Sequence, residues 1–402
     1  MSEDAEQNST QNAKSLSQNT QLVHSGRDPK QQHGFVNSPI YRGSTVLFPT
    51  VEALQTNNQE YTYGRKGTPT VRNLERAIVQ LEGGSACFLT PSGLSAVTTA
   101  IMALVEAGDH ILVTDSVYQP TRRFCDALLA KLNVKTTYYD PLIGKDIAKL
   151  FRPNTKLVFT ESPGSQTFEI QDIPAISAAA KKNNIYVLMD NTWATPLYFK
   201  AFEKGADISI QAATKYIVGH ADAMLGAITV NEKTLPHVKT WFECFGLCAG
   251  PEDIFLGLRG MRTLAVRLKT HEIAALEMAK WLQMRPEVAH VLHPALANHP
   301  GHEIWARDFS GSSGLFSVVL KPVPFSAVTE MLESLQLFGM GWSWGGFESL
   351  AIPFHPQSYR TATQWPHEGT AIRFHIGLEN IADLIADLEQ GFAKLREIVN
   401  HS

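Results

Sequence analysis

Residues 207–220 read Asp-Ile-Ser-Ile-Gln-Ala-Ala-Thr-Lys-Tyr-Ile-Val-Gly-His, an apolar strand that runs straight into a Thr-Lys pair set among small and apolar residues. Most lysines are solvated surface charges. One flanked by Ala, Ile, Tyr and Gly loses part of its hydration, which disfavours the ammonium, lowers the pKa and leaves a usable nucleophile or base. Lys215 is therefore the first candidate for chemistry, and Thr214 beside it offers a hydroxyl to a phosphate.

Upstream of this segment, residues 110–114, 156–160, 185–189 and 206–210 are short apolar runs of the kind that form buried parallel strands. Helical stretches such as 175–183 separate them, and the alternation predicts an α/β fold. Polar or glycine residues follow each run. Open parallel sheets bind ligands at the carboxyl ends of their strands, so Asp115, Glu161 and Asp190 are expected to face a common cleft. Downstream, a helical stretch over 256–284 leads into a second domain. Residues 314–320 and 371–376 read as strands there, and 381–399 has the spacing of an amphipathic helix.

The chain has 402 residues, 44% of them hydrophobic and 18% charged, with a formal net charge of -4. That composition suits an ordinary globular protein of two or more domains and a small-molecule substrate, with neither nucleic acid nor membrane as partner. No run approaches the length of a membrane span. The four cysteines (Cys87, Cys125, Cys244 and Cys248) are too few for a disulfide framework and suit a reducing cytoplasm. No metal site is expected: Cys244 and Cys248 lack a second pair, and His290, His293, His299 and His302 read as solvated loop histidines. Residues 1–20, rich in Ser, Gln, Asn and Thr, read as a disordered tail and not as a signal peptide.

Three further features complete a candidate site. Residues 91–97, Pro-Ser-Gly-Leu-Ser-Ala-Val, read as a tight turn opening a helix, whose free N–H groups and dipole favour an anion. Asp190 offers a carboxylate that would keep a pyridinium nitrogen protonated. Tyr118, just past the strand-end Asp115, could stack on a ring face.

On the segments Ala213-Thr-Lys-Tyr-Ile-Val-Gly-His220, Glu161-Ser-Pro-Gly164, Asp190-Asn-Thr-Trp193, Tyr63-Gly-Arg65 and Ser343-Trp-Gly-Gly-Phe-Glu-Ser349, the chain resembles the Cys/Met-metabolism family of pyridoxal-phosphate (PLP) enzymes. Within that family it is most similar to the cystathionine β-lyases. The resemblance covers roughly residues 20–399. It implies the PLP-dependent transferase fold type I, with a large, mostly parallel sheet domain and a smaller C-terminal α/β domain. The expected division is a tail and arm over 1–65 that contacts a neighbouring subunit, a PLP-binding domain over 66–260 and a C-terminal domain over 261–402.

The resemblance also implies roles. Lys215 would hold PLP as a Schiff base and then act as the base on Cα; Asp190 would face the pyridine nitrogen, and Tyr118 would stack on the ring and assist proton transfer. Gly93, Leu94 and Thr214 would hold the phosphate, joined by Tyr63 and Arg65 of a neighbouring chain in a homotetramer of paired dimers. Ser343 and Arg373 would hold the substrate α-carboxylate, a group that a planar guanidinium can grip with two hydrogen bonds. Ala213 and Ser165 depart from the family pattern, standing where many members carry a hydroxyl residue and Asn.

Trp342 and Trp344 bear on the choice of bond broken. The γ-acting relatives often have Glu where Trp342 stands, and Trp344 and Tyr118-Gln-Pro120 resemble the β-lyase form. The resemblance thus implies β-elimination from cystathionine in methionine biosynthesis, with cysteine desulfhydration as a side activity and a γ-synthase or γ-lyase as the alternative. A nucleotide-binding oxidoreductase would need a G-x-G-x-x-G turn after a strand, and the sequence has none. A non-catalytic scaffold is disfavoured by the presence of Lys215, Asp190, Tyr118 and Arg373 together.

Overall fold

The computed structural model describes residues 16–401. Seven strands form the larger sheet: β1 (Ala86–Thr90), β2 (His110–Thr114), β3 (Lys135–Tyr139), β4 (Thr155–Glu161), β5 (Tyr186–Asp190), β6 (Ile208–Gln211) and β7 (Gly226–Val230). Their order is β1-β7-β6-β5-β4-β2-β3. Strands β2 to β6 pair in parallel, whereas β7 lies antiparallel between β6 and β1. Every residue of β2, β6 and β7 is buried, as expected of strands covered on both faces, and the buried polar side chains of β6, Ser209 and Gln211, both bond Glu82. The α/β class is the expected one, and the predicted strands shift by a residue or two. Asp207, for example, stands just before β6 as a brace, its carboxylate accepting from Val187 N at 2.9 Å and Asn231 Nδ2 at 3.0 Å.

The second sheet has four strands, β8 (Val288–Leu292), β9 (Leu315–Leu320), β10 (Leu350–Phe354) and β11 (Ala371–His375), in the order β10-β11-β9-β8. All its pairs are antiparallel. Helices Phe325–Ser334 and Ile381–His401 lay their apolar stripes on it, burying Met331, Leu384, Leu388 and Phe392 against Phe316 and Phe374.

The expected single helix over 256–284 is two, Pro251–Met261 and Leu264–Gln283. Thr263, at φ -109° and ψ 6°, leaves the helical region. The arginines explain the break. Arg267 Nη2 takes the Gly260 carbonyl at 2.8 Å, while Arg262 Nη1 turns away to the carbonyls of Leu22 and Ser25 at 2.7 and 2.6 Å. The second helix, of 20 residues, spans about 30 Å and joins the two sheets.

The same contacts correct the reading of the N-terminus. Residues 1–15 of the expected tail lie outside the described residues, but residues 18–20 begin the helix Gln18–His24, whose Leu22 is buried. The histidines differ as well. His293 and His299 are buried and accept from Ala295 N and Gly301 N, and burial pushes their pKa values down to about 3 and about 4. His290 lies on β8, its ring 4.4 Å from that of His367, and His302 opens a helix. Among the described residues no group of His, Cys, Asp and Glu is placed to hold a metal, and no helix is long and apolar enough to cross a membrane.

Candidate active site

Strands β4 and β5 end side by side, with Glu161 in register with Asp190, so two carboxylates emerge together at the carboxyl edge of the sheet. Burial raises the pKa of both. Glu161 is held well above the usual carboxylate range by burial and then by Asp190, against one bond from Tyr118 N at 2.8 Å. Asp190 is also raised by burial, which outweighs the Thr192 bonds and the pull of Lys215. Both Thr192 bonds, from N at 3.1 Å and Oγ1 at 2.6 Å, end on Oδ1. Oδ2 is left for a ligand. A cation placed there would offset the desolvation of the carboxylate.

Lys215 follows β6. Its pKa falls from 10.5 to about 8 because of burial, with Arg373 adding to the drop and Asp190 opposing it. Nζ donates to Ser343 Oγ at 2.5 Å and lies 5.3 Å from the Trp344 ring centroid. The desolvated amine expected from the sequence is therefore present, and its neighbours come from the second sheet's side of the cleft. Ser343 has φ +78°, a left-handed conformation that costs a non-glycine residue about 1 kcal/mol. Such strain clusters at functional sites.

Arg373, on β11, is buried without an acid. Its Nη2 donates to the carbonyls of Gly341 at 3.3 Å and Ser343 at 2.9 Å, and its Nε is buried with no partner. Burial lowers its pKa to about 10, against the Tyr118 hydroxyl. A buried guanidinium with a spare donor is suited to an incoming carboxylate. Tyr118 itself is 45% exposed, and burial, Glu161 and Asp190 raise its pKa while Arg373 opposes them. Lys215 and Tyr118 are thus each within electrostatic reach of both Asp190 and Arg373.

The helix Gly93–Met102 points its N-terminus at the same place. Ser92 caps it by accepting from Ser95 N at 3.1 Å, which leaves the N–H groups of Gly93 and Leu94 for an anion. A Cβ on Gly93 would meet the Ala212 Cβ at 2.5 Å, so only glycine lets the helix approach the lysine segment this closely. Thr214 Oγ1 accepts from Leu225 N at 2.8 Å and donates to Leu225 O at 3.1 Å, so it would exchange that donation for a phosphate. With an anion cradle, a carboxylate with a free oxygen and a desolvated amine between them, the residues fit PLP.

Some expected site residues stand further off. Trp342 is 82% exposed at the mouth, beside Ala221, Asp222 and Met224. Trp344 is half-buried, its ring 5.4 Å from that of Tyr216. Tyr63 is exposed, and Arg65 donates to Glu243 O at 3.0 Å within the same chain. Ala213 packs in the core, and Ser165 contributes its backbone N–H to Ser116 O at 2.8 Å.

Asp115 does not face the cleft, contrary to the sequence expectation. It is fully buried, paired with Arg122 at 2.5 Å, and accepts from the N–H groups of Thr361, Ala362 and Thr363. Arg360 extends this clasp with an ion pair to Glu169 at 2.7 Å. Asp115 therefore fastens a loop between β10 and β11 to the large sheet. Glu161, expected at the cleft, also anchors the Tyr118 backbone, and the residue that sequence reasoning missed is His375, which bonds the Ser343 loop. An acid in register with Asp190 was legible from the strand ends; no local signal marks His375.

Comparison with known proteins agrees with this geometry. Residues 19–393 match the model of the Cys/Met metabolism PLP-dependent enzymes. A protein of Rhizobium johnstonii is 52% identical over 379 residues, covering 93% of this chain and 96% of its own. The cystathionine beta-lyase of Escherichia coli is 46% identical over 387 residues, 94% of this chain and 98% of its own. Among solved structures, cystathionine gamma-lyase from Lactobacillus plantarum, complexed with L-serine, superposes with a TM-score of 0.87 at 30% identity. That match covers 95% of this chain and all of the other.

Proposed function

The chain belongs to the Cys/Met-metabolism family of PLP-dependent enzymes, and from that membership we propose that it is a carbon–sulfur lyase cleaving the β bond of cystathionine. The products are homocysteine, pyruvate and ammonia, a step of methionine biosynthesis. The observation that carries the reading is the Lys215 amine, brought to about 8 and held on Ser343 between Asp190 and Arg373.

Gly93, Leu94 and Thr214 would hold the PLP phosphate, Asp190 the ring nitrogen and Tyr118 the ring face. When bound, PLP supplies a sink for the electrons of the broken Cα–H bond. Arg373 and Ser343 take the α-carboxylate and so orient the substrate, and the Lys215 amine removes the Cα proton. As the Cβ–S bond breaks, the sulfur takes a proton, a transfer that the Tyr118 hydroxyl would assist. Hydrolysis of the remaining three-carbon enamine gives pyruvate and ammonia. The apolar Trp342 at the mouth, where γ-acting relatives often carry Glu, supports β over γ cleavage.

The test uses the purified chain loaded with PLP and fed cystathionine. Pyruvate is the expected keto acid; 2-oxobutyrate would move the assignment to a γ-lyase, and no keto acid would overturn it. Lys215→Ala should lose both turnover and the visible absorbance of the lysine–cofactor adduct.

We also propose a cytoplasmic homotetramer of paired dimers in which Tyr63 and Arg65 reach a neighbour's phosphate. Support comes from the apolar side chains the arm exposes, among them Phe35, Val36, Leu47 and Val51 at 72, 63, 85 and 70%. The arm over 1–65, a PLP-binding domain over 66–260 and a C-terminal domain over 261–402 are the corresponding units. Sedimentation at a monomer's mass would overturn the assembly.

A further inference from the structure

Strand β11 carries two inward side chains two residues apart, Arg373 and His375, and both grip the same loop. Arg373 holds the carbonyls of Gly341 and Ser343. The fully buried His375 holds the next stretch: Gly345 N lies 3.1 Å from its Nε2, and Glu348 O lies 3.0 Å from its Nδ1. A backbone N–H can only donate and a carbonyl can only accept. The ring is therefore the tautomer with its proton on Nδ1 and a bare Nε2. Burial, with His271 and Arg373 adding to it, keeps its pKa well below the ordinary 6.5, so the ring stays neutral.

What His375 holds is pressed against the reactive lysine. Gly345 has φ +86°, and a Cβ there would lie 3.0 to 3.1 Å from the Lys215 carbonyl carbon, Cα and Cβ. The preceding residues are Ser343, which accepts from Lys215 Nζ, and Trp344, which packs on the amine. Tyr216, next to Lys215, completes the junction: its ring lies 5.4 Å from Trp344, 5.4 Å from His271 and 6.0 Å from His375. We infer that His375 is a positioning residue, whose two hydrogen bonds keep the Ser343–Trp344–Gly345 loop seated on Lys215 when the Arg373 guanidinium turns to a substrate carboxylate. The inference deepens the function proposed above and rests on its reading of Lys215, Ser343 and Arg373.

Three variants test it in the PLP-loaded protein. His375→Phe keeps the shape and removes both bonds. His375→Gln reaches Gly345 N with an amide oxygen, and His375→Asn reaches only toward Glu348 O. Hydrogen–deuterium exchange over residues 341–348 reads the tether directly, whatever reaction the enzyme runs, so its outcome is separable from the product assay. His375→Phe should raise exchange there about tenfold, the scale of one lost buried hydrogen bond. It should also raise KM for cystathionine about tenfold while kcat falls less than about threefold, since the lost contact mainly orients the bound carboxylate. Calorimetric affinity for glycine, which has the carboxylate and amine but no leaving group, should fall in parallel. His375→Gln should recover most of the exchange protection and KM, and His375→Asn should not. Unchanged exchange in His375→Phe, or equal behaviour of the Gln and Asn variants, overturns the inference. Should the Phe variant fail to fold, the Gln–Asn comparison decides alone.

Discussion

Consider Asp115→Asn, a change of one oxygen for one amide nitrogen at the clasp between the sheets. Oδ1 accepts from Arg122 Nη2 at 2.5 Å and Thr361 N at 3.1 Å; Oδ2 accepts from Ala362 N at 3.0 Å and from Thr363 N and Oγ1, both at 2.8 Å. Every partner is a donor. Whichever way the Asn amide turns, its NH2 faces either the guanidinium or the three-donor set. Breaking a buried ion pair by removing one partner costs about 3–5 kcal/mol. The 361–363 loop can rehydrate, which places the variant near the low end, at about 3 kcal/mol of stability. Urea unfolding followed by tryptophan fluorescence measures this. Because the loop belongs to the part carrying Arg373, kcat/KM should fall along with stability. The acid limb adds a second check. Burial raises the Asp115 pKa, but the bonds from Thr361, Thr363 and Arg122 outweigh it and hold it below 3.8. A depressed carboxylate contributes stability above its unfolded pKa and loses it as pH falls through the folded one. The wild-type advantage should therefore be full above pH 3.8 and shrink as pH falls from there through the lower folded value. A variant within about 1 kcal/mol of wild type at neutral pH would refute the clasp.

Two further outcomes follow from distances already given. Gly345→Ala places a Cβ 3.0–3.1 Å from the Lys215 backbone at φ +86°, whereas Gly34, at φ +87°, has nothing within 4 Å. Both substitutions carry the same backbone cost of about 1 kcal/mol, so kcat/KM should fall at least about tenfold only for Gly345→Ala. Equal loss in both would remove the contact argument. Burial holds the Glu161 carboxyl well above the usual carboxylate range and so favours its acid form, which an amide imitates while still accepting from Tyr118 N. Glu161→Gln should therefore keep more than about a third of kcat/KM, and Glu161→Ala should lose about tenfold. The reverse order would show that charge, not the anchor, is what matters there.

The lysine segment was legible because its signal is local. An apolar strand, small flanking residues and a Thr-Lys pair lie within fourteen consecutive positions, 207–220, and together they predict a desolvated amine. The parallel strands were legible for the same reason, since β2, β4 and β5 carry short, largely apolar runs, buried through β2 and through most of β4 and β5. Asp115 was misread because it shares its local pattern, an acid at a strand end, with Glu161 and Asp190. What separates it is a loop some 246 positions away, which donates three backbone N–H groups to it. His293 and His299 were misread for a related reason. Prolines and small residues around a histidine suggest a loop but do not reveal that the loop is folded inward.

Arg373 and His375 escaped local reading for a different reason: they lie where the second sheet meets the first. Arg373, His375 and the 341–348 loop come from one side, and Lys215, Asp190 and Glu161 from the other. A strand residue such as Arg373 reads alone as a misplaced charge, and its neighbour His375 as a buried aromatic. Each acquires meaning only through a carbonyl or N–H supplied some thirty positions earlier in the chain. The arrangement also explains why the site sits at this junction. A lysine amine brought to about 8 needs burial, and a guanidinium for the carboxylate needs burial of the same kind nearby, although Arg373 disfavours the lysine's charge. Placing them on separate sheets lets the chain hold both close to Asp190 without packing them into one strand. Contacts between the two sheets such as the Asp115 clasp hold the junction together, so loosening it should weaken substrate orientation before it disturbs the lysine itself.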